Sequence, residues 1–136
     1  MKGKWLSVLF LVAGGVSMLS LSSCARDQKL VSIALQPSAG FVFEGYGAQG
    51  QFTALGTYIH PPETKDITNQ LVWALNIANF GTLTQTGQIT YTRTDGCGSG
   101  QVTATFYSDP SNHSAGYVVL GTASVKGALD GSSTCQ

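Results

Sequence analysis

Three cysteines, two histidines and a scatter of aspartates are the side chains of this 136-residue chain that suit chemistry. His60 and His113 stand far apart, each inside a loop signal. A Ser-His-Asp constellation is recognised by geometry rather than by spacing. Even so, the Gly-x-Ser-x-Gly turn that would expose a nucleophilic serine is missing, because Gly98-Ser99-Gly100 has the wrong spacing. Gly96-Cys97-Gly98 opens like half a phosphate loop. Gln101 stands where the third glycine belongs and no helical pattern follows, so the stretch reads as a turn feeding a strand. Asp95, Asp109 and Asp130 fall in turns without the ligand spacing of a calcium loop. Cys97 and Cys135 have no nearby cluster of histidines or carboxylates, which makes them poor metal ligands. The expectation is a protein with no catalytic residue, no metal site and no cofactor.

Cys24 is placed differently. Lys2 and Lys4 form a basic start, and Trp5 to Leu21 is mostly apolar but broken by Gly14-Gly15 and several serines. That segment is short and interrupted for a membrane span, which takes about 20 apolar residues, and it suits a secretory signal. It ends in Leu21-Ser22-Ser23-Cys24, which resembles the lipobox of bacterial lipoproteins. The resemblance implies that the Cys24 thiol is acylated, that the chain is cut just before it, and that the new N-terminus is acylated in turn. Ordinary cleavage nearby, or an uncleaved anchor, is the alternative. Ala25 follows, where such proteins held at the inner membrane carry Asp, which points to the outer membrane. The expected location is therefore the cell envelope, with the membrane as a partner through two or three acyl chains, enough for durable anchoring.

Removing 23 of the 136 residues leaves 113, enough for one domain. Lys2 and Lys4 leave with the signal. The mature chain then has five basic against seven acidic side chains, a net charge of about −2. No basic cluster remains, so nucleic acid is not expected as a partner. Cys97 and Cys135 are left as an even pair, which in an oxidising envelope reads first as a disulfide. A frayed tail with a free thiol, or pairing with another chain, is the alternative.

Period-two patterns run through the mature sequence and no segment reads as a helix. Val31, Ile33 and Leu35 alternate with polar or small residues up to Pro37, and Phe41 and Phe43 continue that edge. Gln51–Tyr58 reads as the next strand, followed by the turn His60-Pro61-Pro62-Glu63. Leu71, Trp73 and Leu75 share one face, which puts the indole in the core on a central strand, near Phe52 and Val102. Phe80 and Leu83 flank a short strand, Gly87 turns the chain, and Ile89 and Tyr91 form another strand. A glycine-rich turn leads to Val102, Ala104 and Phe106, and Tyr117 to Lys126 pairs back across the polar loop 108–116. About seven short strands with turns between them predict an antiparallel β-sandwich.

Val31–Lys126 also resembles the bacterial Ig-like domain, group 2, of the invasin/intimin type. The matching elements are Val31-Ser32-Ile33-Ala34-Leu35-Gln36-Pro37, Gln51-Phe52-Thr53-Ala54, Asp66-Ile67-Thr68 with Leu71-Val72-Trp73, Phe80-Gly81-Thr82-Leu83 and Val102-Thr103-Ala104-Thr105. The segment Tyr91 to Gly98, the loop 108–116 and the two cysteines depart from the pattern. The organisation expected is a signal peptide at 1–23, a lipidated tether at 24–29, an Ig-like domain at 30–127 and a tail at 128–136. The resemblance implies adhesion, spacing or carbohydrate contact, and no catalysis. Exposed aromatic rings suit sugar stacking or protein contact. Among Tyr46, Tyr91, Tyr107 and Tyr117, the expected contact residues are Tyr107 and Tyr117, which flank the longest loop. The expected ligand is a glycan or an envelope protein. The alternative is an accessory lipoprotein that spaces or stabilises a larger assembly, such as a secretion or pilus apparatus.

Overall fold

The computed structural model describes residues 27–129, which form an all-β sandwich. Ten strands run through the described residues: β1 (Lys29–Gln36), β2 (Phe41–Glu44), β3 (Gln49–Gln51), β4 (Thr53–Ile59), β5 (Glu63–Asp66), β6 (Val72–Leu75), β7 (Gly81–Leu83), β8 (Gln88–Tyr91), β9 (Gly98–Tyr107) and β10 (Val118–Ala128). The expected seven become ten for three reasons, the first being that the expected edge 31–43 divides into β1 and β2 with different partners. The stretch 49–59 is interrupted at Phe52, and β5 is a strand that an apolar pattern cannot reveal. All four of its residues are exposed, so nothing alternates.

One sheet has the order β2-β10-β9-β6 and the other two have the orders β1-β4-β5 and β3-β8-β7. β3 and β4 belong to one run of chain, and across the break Phe52 N–H donates to the Gly87 carbonyl at 2.9 Å. The two smaller sheets are therefore joined by this run.

The first two strands do not share an edge, as the alternation 31–43 suggests. β1 pairs antiparallel with β4, whereas β2 pairs parallel with β10. The change of partner takes place at Pro37, which has no N–H to extend the ladder. Gly40 N–H closes a turn on the Pro37 carbonyl at 3.0 Å, with φ of +76°. A Cβ at Gly40 would stand 1.6 Å from the Ser124 carbonyl oxygen, so only glycine allows the chain to cross here.

Aromatic rings supply much of the core. Phe41 meets Phe52 edge-on at 4.8 Å, Phe52 stacks on Trp73 at 6.3 Å, and Phe80 meets Tyr91 at 5.0 Å. Phe43 lies 6.0 Å from Phe80 and 6.1 Å from Tyr91. Such pairs add about 0.5–1.5 kcal/mol each beyond the area they bury. Tyr91 is wholly buried, so it is not the surface ring that its type allowed. Its hydroxyl donates to the Gly96 carbonyl at 3.2 Å, and burial pushes its pKa up.

Trp73 is buried as expected, but on an edge strand rather than a central one, since β6 pairs only with β9. The open side of β6 is closed by a side chain. The Gln85 amide accepts from Trp73 N–H at 3.1 Å and donates to the Trp73 carbonyl at 3.2 Å. It imitates a neighbouring strand for one residue, and so blunts an edge that would otherwise invite another chain.

The Asp66-Ile67-Thr68 motif gains a physical reading in the same region. Asp66 Oδ1 accepts from Thr68 N–H at 2.9 Å and from its hydroxyl at 2.6 Å, which closes a short 3-10 turn over Thr68–Gln70. These two bonds hold the Asp66 carboxyl below the usual carboxylate range. Ile67 is buried, Thr68 Oγ1 accepts from Ala54 N–H, and the Thr68 carbonyl accepts from the Trp73 indole at 2.9 Å. The motif is a clamp that seats the tryptophan.

Candidate functional site

The strands run between two ends of the sandwich. At one end the chain enters at Asp27, Lys29 lies opposite Ile59, and the β9–β10 hairpin turns through residues 108–116. At the other end lie the last residues of β2, β8 and β10 and the first of β9. β10 runs from one to the other, and its 11 residues span about 36 Å at ~3.3 Å each.

Tyr107 and Tyr117 stand at the entry end, and both are half-buried. Each ring is engaged within the protein. Tyr107 stacks on His113 at 3.9 Å and 11°. The Tyr117 hydroxyl accepts from Leu30 N–H at 3.3 Å, its ring lies 6.2 Å from Phe106, and Lys29 Nζ sits 5.1 Å above it. These contacts pack loop 108–116 and the start of β1 onto the sandwich.

Among the described tyrosines the exposed one is Tyr46, at 65 %. It is the middle of Gly45-Tyr46-Gly47, whose glycines have φ of +88° and +82°, a conformation that other residues adopt only under strain. Gly45 N–H donates to the Ala128 carbonyl at 2.7 Å and Gly47 N–H to the Tyr91 carbonyl at 2.8 Å. The turn is therefore tied to two strands while its side chain reaches into solvent. The backbone that carries the ring is thus held, which leaves only the side chain's own rotamers to be ordered on binding. Its signal in the sequence is the flanking glycines, and a ranking by loop length passes over it.

Gly47 N–H donates to the Tyr91 carbonyl, so the Tyr46 turn and the residues that follow β8 lie at the same end of the sandwich, on either side of β8. Thr92 lines an open depression with Ala78, Asn79, Arg93, Thr94 and Asp95. Arg93 Nε lies 2.9 Å from Asp95 Oδ1 and also donates to the Asp95 carbonyl at 3.0 Å, so the two charged groups hold each other in place. An exposed aromatic ring and, at the same end, a depression carrying amide, hydroxyl, guanidinium and carboxylate groups are the group types that suit a polyhydroxylated ligand. A second shallow depression is lined by Asn76, Ser99, Ser124 and Lys126 among others.

Cys97 is at this end as well, next to Gly98, which lies opposite Gly127, and its sulfur is disulfide-bonded. Cys24 and Cys135 lie outside the described residues, as do Asp130 and the signal segment. His60 and His113 fall in the turns expected of them. Among the described residues no group of three or more His, Cys, Asp or Glu side chains is arranged to hold a metal ion. Among the same residues no helix is long and apolar enough to cross a membrane. No family model matches this sequence, and no curated protein does.

Proposed function

We propose that the protein is a lipid-anchored binding module of the cell envelope, at the outer membrane, which recognises a glycan without catalysis. The observation that carries the reading is Tyr46, displayed to solvent on a pinned turn at the same end of the sandwich as the polar depression at Asn79 and Thr92–Asp95. The domain is read as Ig-like on its strand order. β1-β4/β3-β8-β7 faces β2-β10-β9-β6, and the chain's first part divides between the two layers. The lipid anchor rests on the signal and the tetrapeptide ending at Cys24.

Retention on peptidoglycan or envelope polysaccharide tests the binding. Tyr46→Ala should weaken it by tenfold or more, the effect of removing an anchor aromatic worth about 2 kcal/mol. Its melting temperature should not change, because the ring is exposed. Equal retention of parent and variant, together with loss in Tyr107→Ala, would move the site to the other end.

The disulfide of Cys97 is proposed to join Cys135. Gly98 lies opposite Gly127 in the β9–β10 hairpin, which leaves Cys97 beside the point where the tail departs. Cys24 is tethered to the opposite end of the sandwich. A Cys97–Cys135 bridge closes a loop of about 38 residues and contributes about 3–4 kcal/mol in the chain-entropy model. Non-reducing peptide mapping should recover the two cysteines in one cross-linked peptide pair. Two alkylatable thiols would refute the pairing.

A further inference from the structure

We infer that the entry end of the sandwich docks against the lipid surface that holds the chain's own anchor, so that Tyr46 faces away from the membrane. The inference rests on the lipid-anchored reading and begins with the length of the tether. Gln28 is already fastened to the domain, since its amide donates to Glu63 at 3.0 Å and accepts from Lys65 at 3.0 Å. Three residues lie between it and Cys24, four backbone steps with a reach of about 14 Å at full extension. The entry end therefore stays close to the bilayer in any conformation of the tether. The Tyr46 turn lies at the far end of β10, about 36 Å away by the length of that strand.

The surface near the tether has the composition that this position calls for. Six large apolar side chains are exposed among the described residues, and Val31, Val72, Val118 and Leu120 lie in the entry half. Three of these share the outer face of one sheet. Val72, Thr105 and Leu120 form one cross-strand row, and Tyr107 and Val118 form the next. Leu120 is 58 % exposed and Val118 47 %, on strands whose alternate positions could have been polar at no structural cost. The row carries no charge. Tyr107 and Tyr117, together with Lys29, add the amphipathic side chains that settle at a bilayer interface.

Charge does not drive the contact. Glu63 and Lys65 pair with each other at 2.9 Å, and Asp109 is occupied by Ser111 and Asn112 in its own turn. Asp27 offsets Lys29 at the same end. Docking should therefore be apolar, little changed by salt, and strengthened by the acyl chains that already hold the domain nearby.

The test uses the mature acylated protein in vesicles of phosphatidylethanolamine and phosphatidylglycerol carrying a nitroxide near the headgroup. Leu120→Trp and Val42→Trp each place an indole on an exposed site, one in each half, while the native Trp73 stays buried. Quenching of the Leu120→Trp protein should exceed that of the Val42→Trp protein several-fold and should persist at high salt. Val118→Asp, added to the Leu120→Trp protein, should reduce the difference. Equal quenching at the two positions, or quenching confined to Val42→Trp, overturns the docked orientation. Intact mass, measured on the same samples, reports the anchor separately. A protein that carries the acyl mass yet shows equal quenching refutes only the orientation, and a chain without that mass overturns both.

Discussion

Trp73→Ala should cost about 3–5 kcal/mol, the usual range for emptying a large aromatic site. The indole is in contact range of Phe52 and carries a hydrogen bond to the Thr68 carbonyl, so the substitution opens a cavity and leaves a buried acceptor unpaired. Domains of this size hold about 5–15 kcal/mol in total, so the variant should be largely unfolded near physiological temperature. Trp73→Phe separates the two contributions. It keeps most of the ring and loses only the donor, so its denaturation midpoint should fall between the parent and the alanine variant. An alanine variant with the parent's urea midpoint would contradict the packing. Trp73 is the only tryptophan among the described residues, and in a chain cleaved before Cys24, as proposed, Trp5 is absent and Trp73 fluorescence is a direct probe.

Cys24→Ser should abolish acyl labelling altogether and leave an unprocessed or mislocalised precursor. The loss should be all-or-none, because a serine hydroxyl does not replace the thiol as acyl acceptor and cleavage follows acylation in proteins of this kind. The folded domain itself should be unaffected, since β1 starts at Lys29 and Gln28 already holds the chain to Glu63 and Lys65. Equal palmitate incorporation in variant and parent, with equal partition into detergent, would refute the anchor.

The strands that alternate cleanly were legible in the sequence: Ile33 and Leu35, Ile89 and Tyr91, Val102 and Ala104 all point inward. So was the β9–β10 hairpin. What was hidden depends on partners that are distant in the chain. β5 has no buried residue and exists only because the end of β4 has a free edge. The edge position of Trp73 was hidden because the residue that closes β6 is a glutamine twelve positions later. Tyr46 was visible as a residue but not as the exposed one. Its display depends on backbone bonds to Tyr91 and Ala128, a pairing that no local pattern encodes.

β2, near the start of the domain, takes as its partner the last strand, β10. Its ladder reaches Ala128, so the sandwich cannot close until almost the whole chain is present. Contacts this far apart in sequence make folding slow relative to helical domains, because loop entropy is spent before the pairing returns it. A partial chain emerging from the ribosome has no β10 to receive β2, and it leaves Phe41 and Phe43 without one of their two layers. If the chain is exported as an extended thread, as proposed here, that delay is an advantage. On the proposed export route, the pairing that completes the native state would form only after β10 has followed β2 across the membrane.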